Sequence, residues 1–312
     1  MHYSTFTVEG KTYQSVQPRL STSVMLASNL SLKAGYAYMT QYVHLLSNSS
    51  LSLPTDLWVP STAKIVPMNA HQVSLGAFYE LPHLFDISIE GYYKKMDNLL
   101  EYKDGASFFG SSDTWENKVC MGKGWAYGVE FLVQRSFGKT TGWVGYTWAH
   151  SNRLFDREGM EINEGKVFPA KYDRRHDLSI TVQHKFSNRF DLSGSWVFSS
   201  GNCGTLATQT YPGVPVTYYF QYGGGIVGTP NIGAIERNNY RLPAYHRLDI
   251  GMNFRKQKKH GERVWNISIY NVYNRQNPFI VMRGLDETTG AVQLQQVSIF
   301  PIIPSISYGF KF

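Results

Sequence analysis

The residues best suited to chemistry in this chain are aromatic and sit between its regular segments. Trp58, Phe108, Phe109, Trp115, Tyr211, Tyr218, Tyr219, Phe220 and Tyr222 fall where no hydrophobic period holds. Flat rings carried on loops stack on sugars, hydrophobic chelates or flat cofactors. Trp58, Phe108, Phe109, Trp115, Tyr218, Tyr219 and Tyr222 are therefore the candidate ligand platform, with packing of loops onto one another as the competing role. A second group, Asp173, Arg174, Arg175 and Asp177, lies where a long loop runs into a regular segment. Opposite charges there pair and fix the path of the loop, a positioning role rather than a ligand clamp.

Catalytic spacing is missing. The nine histidines include no H-E-x-x-H and no H-x-H pair, and there is no G-x-S-x-G elbow. Gly223, Gly225 and Gly228 match G-x-G-x-x-G in letters only, because no helical period follows to hold a phosphate at its N-terminus. Cys120 and Cys203 have neither metal nor redox spacing, and a disulfide between them is left open. No enzyme, cofactor or metal site is expected. The net charge of +7 is scattered, and its densest group, Lys256, Lys258, Lys259 and Arg263, reads as a solvated turn rather than a nucleic-acid surface.

The elements that carry these residues are strands. The chain is 42% hydrophobic and 15% aromatic but only 17% charged, so it is neither disordered nor fibrous. No run of apolar residues is long enough for a membrane helix. Met1 to Gly10 lacks the basic and apolar regions of a signal peptide. Alternation of period two recurs throughout. Leu178, Ile180 and Val182 alternate with Ser179, Thr181 and Gln183, and Leu248, Ile250, Met252 and Phe254 with Asp249 and Asn253. Twelve strands are predicted, near 2–8, 18–27, 31–42, 70–80, 85–95, 125–136, 141–150, 175–185, 190–200, 245–255, 264–282 and 292–311. Tight turns alternate with long loops at 43–69, 96–124, 151–174 and 201–244. That is the pattern of an antiparallel transmembrane β-barrel, in which short turns gather at one end and long loops at the other. Asp86, Glu90, Glu130, Asp177, Asp191 and Asp249 sit on the polar faces and suit a wet or plugged lumen. One unbroken pattern runs through residues 1–312, with no domain boundary.

The final strand carries the most specific short signal, with Tyr308, Phe310 and the terminal Phe312 on one face. This resembles the signal by which outer-membrane barrels are recognised by the barrel assembly machinery. Three further stretches resemble strands of TonB-dependent outer-membrane receptors, namely Tyr172 to Leu178, Arg241 to Asp249 and Asn266 to Arg275. The resemblance spans essentially the whole chain, without a TonB box, a plug domain or early barrel strands. It implies the C-terminal part of a barrel of about 22 strands with a plugged lumen.

A location in the outer membrane follows from the resemblance, as does energised uptake of a scarce nutrient such as an iron chelate, cobalamin, glycan or peptide. The implied partners are outer-membrane lipid, the assembly machinery and the TonB energising complex, which acts through the plug. A passive porin-like channel and an outer-membrane barrel enzyme are the alternatives. Leu178, Ile180, Leu192, Trp196, Leu248, Ile250, Tyr308 and Phe310 are expected to face lipid, with Asp177, Asp191, Asp249 and Lys311 facing the lumen. Twelve strands in a longer barrel leave strands 2–8 and 292–311 as unpaired edges.

Overall fold

The computed structural model describes residues 1–47, 56–104, 106, 114–206, 209–211, 216–218, 225–227, 231–233, 236–286, 288 and 292–312. Its frame is a meander of antiparallel strands: β1 (Arg19–Ala27), β2 (Leu30–Gln41), β3 (Met68–Leu81), β4 (Phe85–Tyr102), β5 (Val119–Arg135), β6 (Thr140–Leu154), β7 (His176–Lys185), β8 (Phe190–Ser199), β9 (Tyr245–Lys258), β10 (Gly261–Tyr270) and β11 (Ile303–Lys311). Each pairs with its neighbours in sequence. A two-residue strand, Phe168–Pro169, adds to the side of β6 and brings the sheet to twelve strands.

The number twelve agrees with the sequence reading, but the membership differs. Residues 2–8 are not a barrel edge. His2–Val8 pairs with Lys11–Gln17 in a separate hairpin that reaches the upper end of β2, where Ser15 Oγ lies 2.5 Å from Thr40 Oγ1. The edge of the wall is β1 instead. The expected strands 264–282 and 292–311 also divide, because Asn271 adopts φ 54° and ends β10. Beyond it, Ile280–Leu285 and Val292–Val297 form a hairpin of their own. Alternation continues through such a hairpin, so period alone does not separate it from the strand that it follows.

Direction along the meander sorts the connections. The turns after β1, β3, β5, β7 and β9 are tight and lie at one end of the wall. The connections after β2, β4, β6 and β8 are long and lie at the other, as expected, and residues 271–302 make a fifth. Since β11 runs toward the tight turns, Phe312 lies opposite the long loops.

Pairing register decides which side chains share a face, since directly opposed residues point the same way. Ile180 stands between Val144 and Trp196, and Trp196 next to Leu248. The row from Ile250 passes through Ile269 to Pro304, and Trp265 faces Tyr308. Followed across the wall, this face is aliphatic through its middle and aromatic at both margins. At the tight-turn margin Phe190 stacks on Phe186 and Phe254, Trp265 meets Tyr308, and Phe310 meets Phe312. These are the girdles of a transmembrane barrel. The opposite face is polar and crowded: Asp191 is fully buried, accepting from Gln183, Asn253 and Arg255.

The wall is open. Among the described residues β1 and β11 each have a neighbour on one side only, and β1 is exposed along its whole length. Both edges run from the long-loop end to the tight-turn end. Antiparallel closure therefore requires an odd number of further strands, beginning and ending in the opposite sense. Two copies of the wall in one membrane orientation would meet along parallel edges instead.

The facing has a direct consequence at the middle of β7. In the assembled barrel, Ile180→Arg should cost about 2–4 kcal/mol of stability in lipid vesicles, while Ser179→Arg on the luminal side should be tolerated. Equal losses at the two positions in a denaturant titration would contradict the assignment.

Candidate functional site

Three neighbouring strands rise beyond the height that lipid requires. At about 3.4 Å per residue and a tilt of about 40°, ten residues cross the apolar band, whereas β4, β5 and β6 have 18, 17 and 15. A bulge at Asn98 (φ 60°), whose side chain donates to the Pro67 carbonyl, marks where the sheet changes character. Above it Leu99, Leu100, Glu101 and Tyr102 are all buried, so both faces are covered. On the outward face Leu100, Tyr102 and Val119 pack with Leu46 and Val59, from the hairpin Val43–Ser47/Asp56–Pro60, and with Ile65. On the luminal face Leu99 and Cys120 pack with Phe155, Ile162 and Phe168 of the loop after β6. Gly122 makes that inward fold possible, because a Cβ there would lie 2.5 Å from the Phe155 ring.

Two buried carboxylates tie the inward loops to the strands. Glu101 accepts from Arg153 on β6 and from Arg237, at 3.2 Å, on the loop after β8. Arg237 also reaches the Tyr102 carbonyl and Asp104, and its own backbone N–H donates to the Asn163 side chain at 2.8 Å. Asp173 is shared by Arg175 at 2.9 Å and Arg241 at 2.5 Å, and its other oxygen accepts from the Ser151 backbone. The expected rim group is thus an ion-pair group, with a different membership. Arg174 donates to Asn202, Asp177 has no ion pair among the described residues, and Arg241 supplies the second cation. Sequence spacing could not have found Arg241, since it lies 68 residues from Asp173.

The two cysteines are separate and free, which removes the disulfide alternative. Cys120 packs in the luminal cluster and Cys203 lies 3.9 Å from the Asp173 carbonyl. Burial pushes the Cys203 thiol above its ordinary range.

Of the candidate aromatics, Trp58 is 63% exposed, on the face of its hairpin turned away from the buried cluster. Trp115 begins a short 3₁₀ turn and packs against that cluster, a structural role. Tyr218 lies in the strand Val216–Tyr218, paired with Gly225–Val227. Phe108, Phe109, Tyr219 and Tyr222 lie outside the described residues. Tyr308, Phe310 and Phe312 share the outward face at the tight-turn margin.

Below the crown, pairing places an acidic row on the luminal face. Lys33, Gly76, Glu90, Glu130, Thr147 and Asp177 are successive partners from β2 to β7. Glu90 and Glu130 stand directly opposite one another, an arrangement that is repulsive unless a cation joins it. Neither has an ion pair among the described residues. No group of residues that could hold a metal ion occurs among the described residues.

A meander of tilted strands with an apolar, girdled outer face, a polar inner face and tall strands capped by loops defines an outer-membrane-type β-barrel wall. The family model described as TonB dependent receptor-like, beta-barrel matches residues 2–274, and the chain belongs to that family. No curated protein sequence matches the chain. Among solved structures it resembles the closed form of Fiu, the ferric-catecholate import receptor of E. coli K12, with TM-score 0.56 and 11% identity, covering 96% of this chain and 36% of that one. It is also similar to BauA, the ferric preacinetobactin receptor of Acinetobacter baumannii, with TM-score 0.54 and 13% identity over 97% of this chain and 37% of that one. The ferric yersiniabactin uptake receptor FyuA of Yersinia pestis gives TM-score 0.55 and 14% identity over 95% and 37%. The chain thus spans little more than a third of the length of these receptors. The family consists of transport receptors rather than enzymes.

Two predictions follow from the ties in the crown. Asp173→Asn should leave Arg175 and Arg241 without their shared charge and cost about 3 kcal/mol; proteolysis should then cut the connection between β8 and β9 faster. The second concerns Asp56. Burial raises its pKa, but hydrogen bonds from Tyr172 (2.5 Å) and Ser47 and the Lys171 charge outweigh it, holding the carboxyl below its ordinary range. A depressed carboxyl stabilises the fold above its unfolded pKa and loses that contribution as pH falls through the folded one. The tie between the outer hairpin and Tyr172 should therefore hold at neutral pH and release in acid, and Asp56→Asn should abolish the pH dependence of the hydrogen-exchange protection factors of Asp56–Val59, measured against their intrinsic exchange rates.

Proposed function

We propose that this chain is the C-terminal part of the barrel wall of an outer-membrane receptor that takes up a scarce nutrient by TonB-dependent, energised transport. In this reading the crown faces the exterior, and its loops, with Trp58 among the exposed rings, contribute to nutrient capture. The closing strands and a plug come from the remainder of the receptor. An iron chelate is the nutrient class put forward, because the neighbours named above are receptors for ferric chelates. Outer-membrane lipid, the assembly machinery acting on Tyr308, Phe310 and Phe312, and the TonB complex reached through the plug are the partners.

The observation that carries this reading is the uncompensated pair Glu90 and Glu130. A water-filled pore would tolerate single acidic residues scattered over its wall. Two carboxylates placed opposite each other, neither in an ion pair among the described residues and with Lys33, beyond Gly76, as the one cation of their row, call for a basic segment inside the lumen. A plug carrying arginine or lysine at that height satisfies them, and losing that contact is how a pull on the plug would release it. Open edges on β1 and β11 point the same way, since each unsatisfied backbone group in hydrocarbon costs several kcal/mol.

The test is uptake of radiolabelled ferric chelates by cells carrying the assembled receptor, with and without a functional TonB complex. Accumulation should vanish without the energising complex. In energised cells, Glu90→Gln with Glu130→Gln should weaken retention of the plug and reduce uptake, on the order of tenfold for two charge-assisted contacts. Uptake that persists without the energising complex would favour a passive channel.

A further inference from the structure

We propose that the outward rim of the wall at the long-loop end binds phosphate-bearing lipid headgroups, with His246 and Arg275 forming the principal site. The inference rests on the transmembrane wall alone and is independent of what passes through it.

His246 is the second residue of β9, on the outward face shared with Phe198, its partner on β8. Its backbone is held at both ends by Asn277, whose side chain accepts from the His246 N–H and donates to the His246 carbonyl, each at 3.0 Å. Its Nδ1 lies 2.8 Å from the hydroxyl of Tyr273, itself exposed. A hydroxyl donating into Nδ1 leaves the ring proton on Nε2, which becomes a free donor. Arg275 is anchored two residues before it, in the approach to β9: one guanidinium nitrogen donates to the Ala244 carbonyl at 3.1 Å, while its Nε is buried without a hydrogen-bond partner. Arg275 has no ion pair among the described residues, and the nearby carboxylate Asp249 is taken by Arg247 at 2.9 Å. A half-buried arginine with an orphaned N–H, next to a histidine whose donor is free, lacks an anion.

The same device recurs across the wall. Tyr36 Oη lies 2.9 Å from Nδ1 of His71, and the His71 ring also meets that of Tyr38 at 4.7 Å. The cross-strand neighbour of His71 on that face is Lys95, exposed and without an ion pair among the described residues. Asp97, two residues further along the same face, stands opposite Lys123, whose ammonium is held by Asp156 at 3.0 Å. Each site thus joins a tyrosine-oriented imidazole to an unpaired cation at the upper edge of the apolar band. Tyrosine and cationic residues favour that depth, where lipid phosphates lie. A lipid satisfies both halves of each site, its chains on the aliphatic band and its phosphate on the cation and Nε2.

Native mass spectrometry of the assembled barrel in detergent, titrated with short-chain phosphatidate and with the diacylglycerol of the same chains, tests this. Phosphatidate should be retained at least about tenfold better, and His246→Gln with Arg275→Gln should remove about tenfold of that preference. Arg275→Lys should retain most of it. If the Arg275 variants fail to fold, His71→Gln with Lys95→Gln, at exposed strand positions, carries the same expectation. Equal retention of the two lipids, or a preference untouched by either pair of substitutions, would overturn the site. Displacement of phosphatidate by equimolar inorganic phosphate would overturn the lipid as its occupant.

Discussion

Hydrocarbon offers no hydrogen bonds, so every backbone N–H and C=O that crosses it needs a partner within the protein. That constraint organises the molecule. It makes the meander obligatory, since each strand is the only source of partners for the next. It also makes register a matter of solvation: a slip of one residue would carry Ile180 and Trp196 into the lumen and Asp191 into lipid. The same constraint gives the open edges their meaning. With β1 and β11 running in the same sense, the wall is complementary to an odd-stranded partner and not to itself.

Above the membrane the rules change, because water is present on both sides and loops need a reason to settle. The tall strands β4 to β6 supply one by offering two apolar faces, one covered by the outer hairpin and the other by the loop that folds inward at Phe155. Buried carboxylates then select one path for each loop. Glu101 and Asp173 each bind two arginines that lie far from one another in sequence, so moving either loop strands a charge. The crown is tied at its base for this reason, and below it Glu90 and Glu130 face each other on the polar side of the wall.

Much of this was legible in the chain. Period-two patterning placed the wall strands to within a few residues, apart from the tall extensions, and the alternation of turn lengths oriented them. Identical patterning misled at both ends. The segments at 2–8 and 280–297 alternate as the wall does, yet pair locally into hairpins. Asp173 and Arg175 were recognisable as a rim group because they are neighbours. Their third partner Arg241 was not, nor was the Glu101–Arg237 pair, because nothing local relates residues brought together by loop folding.

By itself, the sequence determined the class of architecture, the two faces and the end at which the loops gather, since these depend on side-chain alternation and turn length, properties of adjacent residues. Only the tertiary structure decided which strands form the edges, which loops fold over the lumen, and which charges are neutralised. Those outcomes depend on register between strands and on contacts over a hundred residues apart, such as Glu101 with Arg237. The single-residue steps that set them, the bulge at Asn98 and the left-handed Asn271, are small in sequence and decisive in space, because each redirects every residue that follows.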